Sequence, residues 1–314
     1  MKSEVNIRII PRLDIKGPNL VKGLSFDGYR VLGSAEEFAR TYYEEGADEL
    51  IYYDAVASLY RRNSLIDIVR RTAKDVFIPL TVAGGLRTIE DIRVVLRAGA
   101  DKVAINTAAV ANPEFVRSAA KTFGSQCIVV SIEAKRLSEG RYEAWVDYGR
   151  QPTGVDALEW AQRAVDLGAG ELLITSIDRE GMGTGYDVDL VSSVAERVPV
   201  PVIACGGAGR KEHVVEVVEK GLCNAVAAAS LFHYRYLKPV KTLYMASNEP
   251  GLRFGREIDE GNVDYLKTRT CYGLPWTVVK PASIPEVKQL FTEHVIPCRR
   301  FWSHLAPLRV FQEG

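Results

Sequence analysis

The sequence has no surplus of charge of either sign: Lys and Arg together number 40, and so do Asp and Glu. Such a chain has no bulk charge to recruit nucleic acid or an anionic membrane, so any anionic ligand must be held by a local site. Long apolar runs are missing too. None approaches the ~18 residues that a membrane span requires, and the start, Met1-Lys2-Ser3-Glu4-Val5-Asn6, has no signal-peptide hydrophobic region, so the expectation is a cytoplasmic chain without membrane contact. Histidine is scarce, and His213, His233, His294 and His304 show no metal-ligand spacing. No metal and no other cofactor is expected. The five cysteines, Cys127, Cys205, Cys223, Cys271 and Cys298, are odd in number and include no Cys-x-x-Cys, which argues for reduced thiols, buried at Cys127 and Cys205.

What is present is a large apolar share, 47% of 314 residues, enough for one large core. Short β-branched runs alternate with longer amphipathic segments, the pattern of a parallel sheet with crossover helices. The predicted strands are Ile7–Leu13, Glu49–Tyr53, Pro79–Val82, Lys102–Ile105, Cys127–Ile132, Glu171–Ile177, Val202–Ala204 and Ala225–Ala229. Eight strands separated by helices predict an α/β protein of the closed (β/α)8, or TIM-barrel, class, for which ~250 residues is typical. Helix punctuation supports this reading. Ser34 with Glu37 and Ser283 with Glu286 fit capping boxes, Asn112-Pro113 fits an N-cap followed by a first-turn proline, and Gly46, Gly99, Gly168 and Gly221 stand where helix ends need a positive φ. The whole chain, 1–314, reads as a single barrel domain with an insertion at 236–282, between strand eight and the last helix, and a tail at 299–314.

Pro201 to Phe232 organises the rest. Val202-Ile203-Ala204-Cys205 breaks into Gly206-Gly207-Ala208-Gly209, a helix-like segment follows, and a second apolar run ends at Ala229 and Ser230. Glycines between an apolar run and a helix expose backbone N–H groups that favour a phosphate. A second copy exists: Leu80 to Ala83 runs into Gly84-Gly85, and the segment after it ends at Asn106-Thr107. Gly84 to Gly206 is an offset of 122, and the same offset relates Gly46-Ala47-Asp48-Glu49 to Gly168-Ala169-Gly170-Glu171. Two related half-barrels, each with one phosphate site, account for both repeats. A doubly wound open sheet is the alternative, but its glycine fingerprint would follow the first strand.

Active sites of such barrels lie at the carboxyl ends of the strands. Asp14 closes strand one and Glu133 closes strand five, so two carboxylates are expected to face each other across the mouth as acid and base. The alternative is that each caps a helix or pairs with Lys16 or Lys135. Ser176 is another polar residue at a strand end. At the opposite opening Arg8, Glu49, Lys102 and Glu171 begin strands one, two, four and six, giving two charges of each sign. They would be either a paired ring or ordinary exposed charges.

Asp14-Ile15-Lys16 with Val21-Lys22-Gly23, Asp101 to Ala109, Phe123-Gly124-Ser125-Gln126, Thr175 to Gly181, and Ala204 to Gly209 together resemble the cyclase subunit of imidazole glycerol phosphate synthase, over about Arg8 to Tyr234. The resemblance implies a (β/α)8 barrel that takes ammonia from a glutaminase docked on its amino-terminal face. The implied substrate is a formimino-aminoimidazole carboxamide ribonucleotide with a phosphate at each end, converted to imidazole glycerol phosphate and aminoimidazole carboxamide ribonucleotide. It makes Asp14 and Glu133 the acid–base pair, puts Lys22 and Asn106 at the substrate, and places Arg8, Glu49, Lys102 and Glu171 at an ammonia gate. Glu133 stands where that family usually has aspartate, and Arg12 and Ala83 replace a usual cysteine and glycine. A paralogous barrel that passes ammonia to a sugar-amidating enzyme and the sister isomerase of the pathway are the alternatives.

Overall fold

Side chains alternate along a strand, so Arg8, Ile10, Arg12 and Asp14 share one face of β1 (Arg8–Lys16), while Ile9, Leu13 and Ile15 share the other. Both faces are buried, the condition of a parallel sheet covered by helices. In a computed structural model of the chain, residues 5–24, 27–55, 57, 65–138, 140–237, 270–271, 274–275 and 278–299 are described. The strands of the same sheet after β1 are β2 (Asn19–Leu24), β3 (Asp27–Ser34), β4 (Leu50–Asp54), β5 (Leu80–Ala83), β6 (Lys102–Ile105), β7 (Ile128–Ser138), β8 (Arg141–Val146), β9 (Gln151–Asp156), β10 (Glu171–Ser176), β11 (Val202–Cys205) and β12 (Ala225–Ala228). Strands β10, β11, β12, β1, β4, β5, β6 and β7 pair in parallel in that order, and β7 pairs back onto β10. The sheet is therefore a closed (β/α)8 barrel, which excludes the open doubly wound alternative.

Helices α1 (Ala35–Glu44), α2 (Ile66–Asp75), α3 (Ile89–Arg97), α4 (Thr107–Ala111), α5 (Glu114–Phe123), α6 (Ala157–Asp166), α7 (Val188–Ala195), α8 (Lys211–Gly221), α9 (Ser230–His233) and α10 (Ile284–Glu293) lie between and after the strands. Their apolar faces cover the outward residues of the sheet, among them Leu13, Tyr52, Val82, Val103, Ile132 and Leu172. A separate inner cluster, including Ile10, Ile51, Val129, Leu173 and Ile203, fills the barrel itself. Burying each such Leu or Ile contributes about 1.5–3 kcal/mol, so both cores are needed to hold the ring closed. No described helix is long and apolar enough to cross a membrane.

The offset of 122 holds in the elements: it carries Asn19–Leu24 onto Arg141–Val146, Ala35–Glu44 onto Ala157–Asp166, and Leu80–Ala83 onto Val202–Cys205. Each half also carries an antiparallel excursion that alternation alone did not predict. β2 and β3 extend β1, and β8 and β9 extend β7, so the first strand of each half runs beyond the barrel.

Several local expectations are corrected. Cys127 lies in a 3-10 turn, half-buried, and the strand starts at Ile128. Ser34 is the N-cap of α1 but its side chain makes no capping bond, whereas the box predicted at Ser283 and Glu286 is formed. Pro113 takes the cap position of α5 itself, one residue later than predicted. Gly46, Gly99 and Gly168 have positive φ, but Gly221 stays helical and Leu222 takes the left-handed conformation, at φ 58.

Of the 236–282 insertion only its two ends and four residues between are described; the remainder, and the tail after Arg299, lie outside the described residues. Lys280 N–H donates to Gly209 O at 2.7 Å and Ala282 N–H to Leu231 O at 3.0 Å, which returns the chain to the end of β12 before α10. Lys288 on α10 and Arg299 both donate to Asp48 Oδ1 at 2.9 Å, tying the last helix to the amino-terminal floor of the barrel.

Candidate active site

Four charges close the floor. Arg8 donates to Glu49 at 2.6 Å and also to Glu171, while Lys102 reaches Glu49 at 3.1 Å and Glu171 at 3.0 Å. Each cation touches both carboxylates. The four residues stand on β1, β6 and β10 and just ahead of β4, so only closure of the barrel brings them together. The arrangement is a ring of ion pairs and not a scatter of surface charges; Glu49 and Glu171 are each only 5% exposed. Pairing of this kind offsets the several kcal/mol that each desolvated ion costs.

At the mouth the register decides which residues correspond. Asp14 lies opposite Tyr53 on β4, and Glu133 opposite Thr175 on β10. Tyr53 and Thr175 are themselves 122 apart, so the two carboxylates occupy equivalent places in the two halves, on strands β1 and β7 that stand opposite in the eight-strand order. Their environments differ. Asp14 Oδ1 accepts from Arg12, with Nη2 at 2.9 Å and Nε at 3.0 Å, and Lys22 Nζ stands 3.8 Å from Oδ2. Lys22 also pairs with buried Glu180. Glu133 Oε1 accepts from the Tyr53 hydroxyl at 2.7 Å, and Oε2 has no hydrogen-bond partner although Asn106 and the Gly149 amide stand nearby. Burial pushes the Glu133 carboxyl above the usual carboxylate range, against the opposing pull of Tyr53 and Arg12. Neither carboxylate pairs with the neighbouring lysine: Lys135 is taken by Asp178.

Two cavities flank this pair. Gly84, Gly85, Asn106 and Thr107 line the first, with Tyr53, Asp54 and Tyr148. Gly206, Gly207, Ala229 and Ser230 line the second, with Arg12, Lys22 and Glu180. Gly84 and Gly206 have φ 94 and 90, and a Cβ on either would lie 2.9 Å from a carbonyl oxygen, of Asp54 or Ser176. Only glycine fits this close approach. The longer helices start several residues past these glycines, at Ile89 and Lys211, so the helix N-termini at the cavities are those of the short α4 and α9. Among the described residues no group of three or more His, Cys, Asp and Glu stands together as a metal site.

Two residues named from sequence fall outside these linings. Gly209 donates its N–H to His213 Nδ1 at 3.2 Å, and the buried Ser176 hydroxyl has no partner. Arg12 was named only as a departure, yet it is 1% exposed and central. The period of two along β1 could have found it, because Arg12 lies between inward Ile10 and Asp14. Tyr148, in the β8–β9 turn, carried no such signal.

A protein family described as "Histidine biosynthesis protein" matches residues 8–238. The imidazole glycerol phosphate synthase subunit HisF of Legionella pneumophila is 56% identical over 207 residues, which is 66% of this chain and 98% of that relative.

Proposed function

Because the chain belongs to the histidine biosynthesis protein family and is a cyclase subunit of imidazole glycerol phosphate synthase, a lyase, we propose that Asp14 and Glu133 are its acid–base pair and that the two glycine-turn cavities hold the phosphates of a bisphosphorylated ribonucleotide. The observation that carries this is the equivalence of Asp14 and Glu133 in register, between two equivalent cavities. In the ring that forms, the ammonia nitrogen is bonded to the formimino carbon, from which aminoimidazole carboxamide ribonucleotide leaves as its C–N bond breaks, and to the keto carbon of the sugar-derived chain, from which the oxygen leaves as water. Each event moves a proton on or off nitrogen, and a positioned group contributes roughly 10² to 10⁴ in rate. Lys22 and Asn106 line the substrate in this reading, with Thr107 and Ser230 donating to the phosphates.

The glutaminase partner supplies ammonia at the floor, through the ring of Arg8, Glu49, Lys102 and Glu171. Exposed apolar side chains around the same end support docking there: Val5 is 51% exposed, Phe77 73%, Leu222 39% and Val295 89%. Val5, Phe77 and Leu222 precede β1, β5 and β12 and Val295 follows α10, so these four stand at the strand-start end, where a partner surface can cover them. A barrel that only delivers ammonia elsewhere, and the sister isomerase, are not favoured by the 56% identity.

The test supplies ammonium salt and the bisphosphate ribonucleotide to the purified chain and follows substrate loss. Wild type is expected to consume it. Asp14→Asn should cut turnover by at least roughly 10²-fold while binding substrate nearly as well. Undiminished turnover in that variant removes Asp14 from the chemistry.

A further inference from the structure

Arg12 is a buried charged side chain inside the barrel to which the acid–base scheme gives no role. It is 1% exposed, among the largest fully buried residues of the protein. From β1 it reaches Asp14 on its own strand, Cys205 Sγ on β11 at 3.4 Å, and the Tyr148 hydroxyl at 3.4 Å. Tyr148 belongs to the turn between β8 and β9, the excursion of β7, which stands opposite β1. The guanidinium therefore joins β1 and β11 to the β8–β9 turn inside the barrel. Its centre also lies 4.6 Å from the centroid of the Tyr53 ring, and it is the hydroxyl of that ring which donates to Glu133. A planar, permanently charged fork can hold a carboxylate through two donors and an aromatic face at once, which a lysine cannot.

We infer that Arg12 is a positioning residue that fixes both carboxylates in one frame, Asp14 by direct ion pairing and Glu133 through the stacked ring of Tyr53. The inference rests on the acid–base reading above. It gives the pair unlike environments by construction: Asp14 is anchored at Oδ1 by a cation, and Glu133 is anchored by a neutral hydroxyl with Oε2 left for substrate. The groups that face Glu133 are Tyr53 from β4, Arg12 from β1, the Gly149 amide from the β8–β9 turn and Asn106 at the end of β6, while Asp14 and Tyr148 stand around the Tyr53 ring. Of these Arg12 alone is cationic, and it favours the ionised form of Glu133.

The test compares Arg12→Met, which keeps the length and drops charge and donors, with Arg12→Lys, which restores charge without the fork. With ammonium salt and the bisphosphate substrate, Arg12→Met is expected to lose about 10²-fold in kcat, the scale of a 1 Å misplacement, with KM changed by less than about threefold. The pH limb governed by Glu133 should move to higher pH. Arg12→Lys should return that limb while recovering only part of kcat. A kcat close to wild type with an unmoved limb in Arg12→Met overturns the inference. A second readout needs no turnover: an infrared or carbon NMR titration of the Glu133 carboxyl in the folded full-length chain. It should titrate at higher pH in Arg12→Met than in wild type, and an unchanged midpoint overturns the inference equally. Failure of wild type to consume substrate would instead overturn the acid–base reading, and the titration would still decide the place of Arg12.

Discussion

Glu133 carries a stability penalty as well as a proposed role. Its pKa in the folded chain lies above the unfolded value because burial disfavours the charge. For a group with a raised folded pKa, stability is fully present below the unfolded pKa and is lost as pH rises through the folded one. Glu133→Gln should therefore melt higher than wild type at pH 8, with the advantage shrinking as pH falls and disappearing about a unit or more below the ordinary glutamate value, where both states of wild type are protonated. Thermal melts across that range check the sign, and a variant that melts lower at pH 8 would contradict it. Turnover with ammonium salt should be lost in the same protein. Family usage alone suggests that Glu133→Asp would hold or raise activity. The 2.7 Å bond from Tyr53 argues otherwise, since an aspartate withdraws the carboxylate by about one methylene, ~1 Å, and misplacement of that order costs ~10²-fold. A kcat at or above wild type would show that Tyr53 follows the shorter side chain.

At the scale of elements, the strand-to-helix turns line the two proposed anion sites, and the close backbone approach at Gly84 and Gly206 requires glycine in them. Gly84→Ala places a Cβ against the Asp54 carbonyl and forces an L residue to φ 94, so it should destabilise by more than about 1 kcal/mol and weaken phosphate at the first cavity. Crystals of wild type soaked in phosphate should show density at both cavities, and an empty first site would mean that Ala83 has altered it. These turns were legible because apolar runs ending in paired glycines have few other uses. The antiparallel excursions were not, because Asn19–Leu24 and Arg141–Val146 read as continuations or loops when only barrel strands are sought. Ser34 and Glu37 have the right spacing for a capping box, yet Ser34 is also the last residue of β3, where its backbone pairs with Asn19. Leu222 takes a left-handed turn that sequence assigns to Gly221, because the helix extends one residue further and the turn falls on whatever comes next. The carboxylates and the ring charges were legible from their places at strand ends. Arg12 was hidden because a lone arginine in a strand reads as exposed until closure of the barrel makes its face an interior.

The whole molecule is a tube with charges at the floor and carboxylates at the mouth, separated by a layer that includes Ile10, Ile51, Val129, Leu173 and Ile203. An apolar layer admits a neutral solute far more readily than an ion, because desolvating an ion costs several kcal/mol. The floor ring is then the natural control point in the proposed path of ammonia from partner to mouth. Lys102→Ala removes one cation from the ring and leaves Arg8 as the remaining partner of both acids, so Glu49 Oε2 and Glu171 Oε2 each lose the lysine. The cost in stability should fall below the ~3–5 kcal/mol of breaking a fully buried pair, because the Lys102 side chain is 19% exposed. The chemistry at the mouth, on the far side of the apolar layer, is untouched by this change. The variant should therefore keep turnover with added ammonium salt within about twofold, while product formed per glutamine hydrolysed falls several-fold in the complex with the glutaminase, since water and ammonia can now pass an open floor. Measuring both nitrogen sources in parallel separates the outcomes. Equal losses with each would mean that Lys102 supports the fold, and full coupling with glutamine would remove the ring from the path of ammonia.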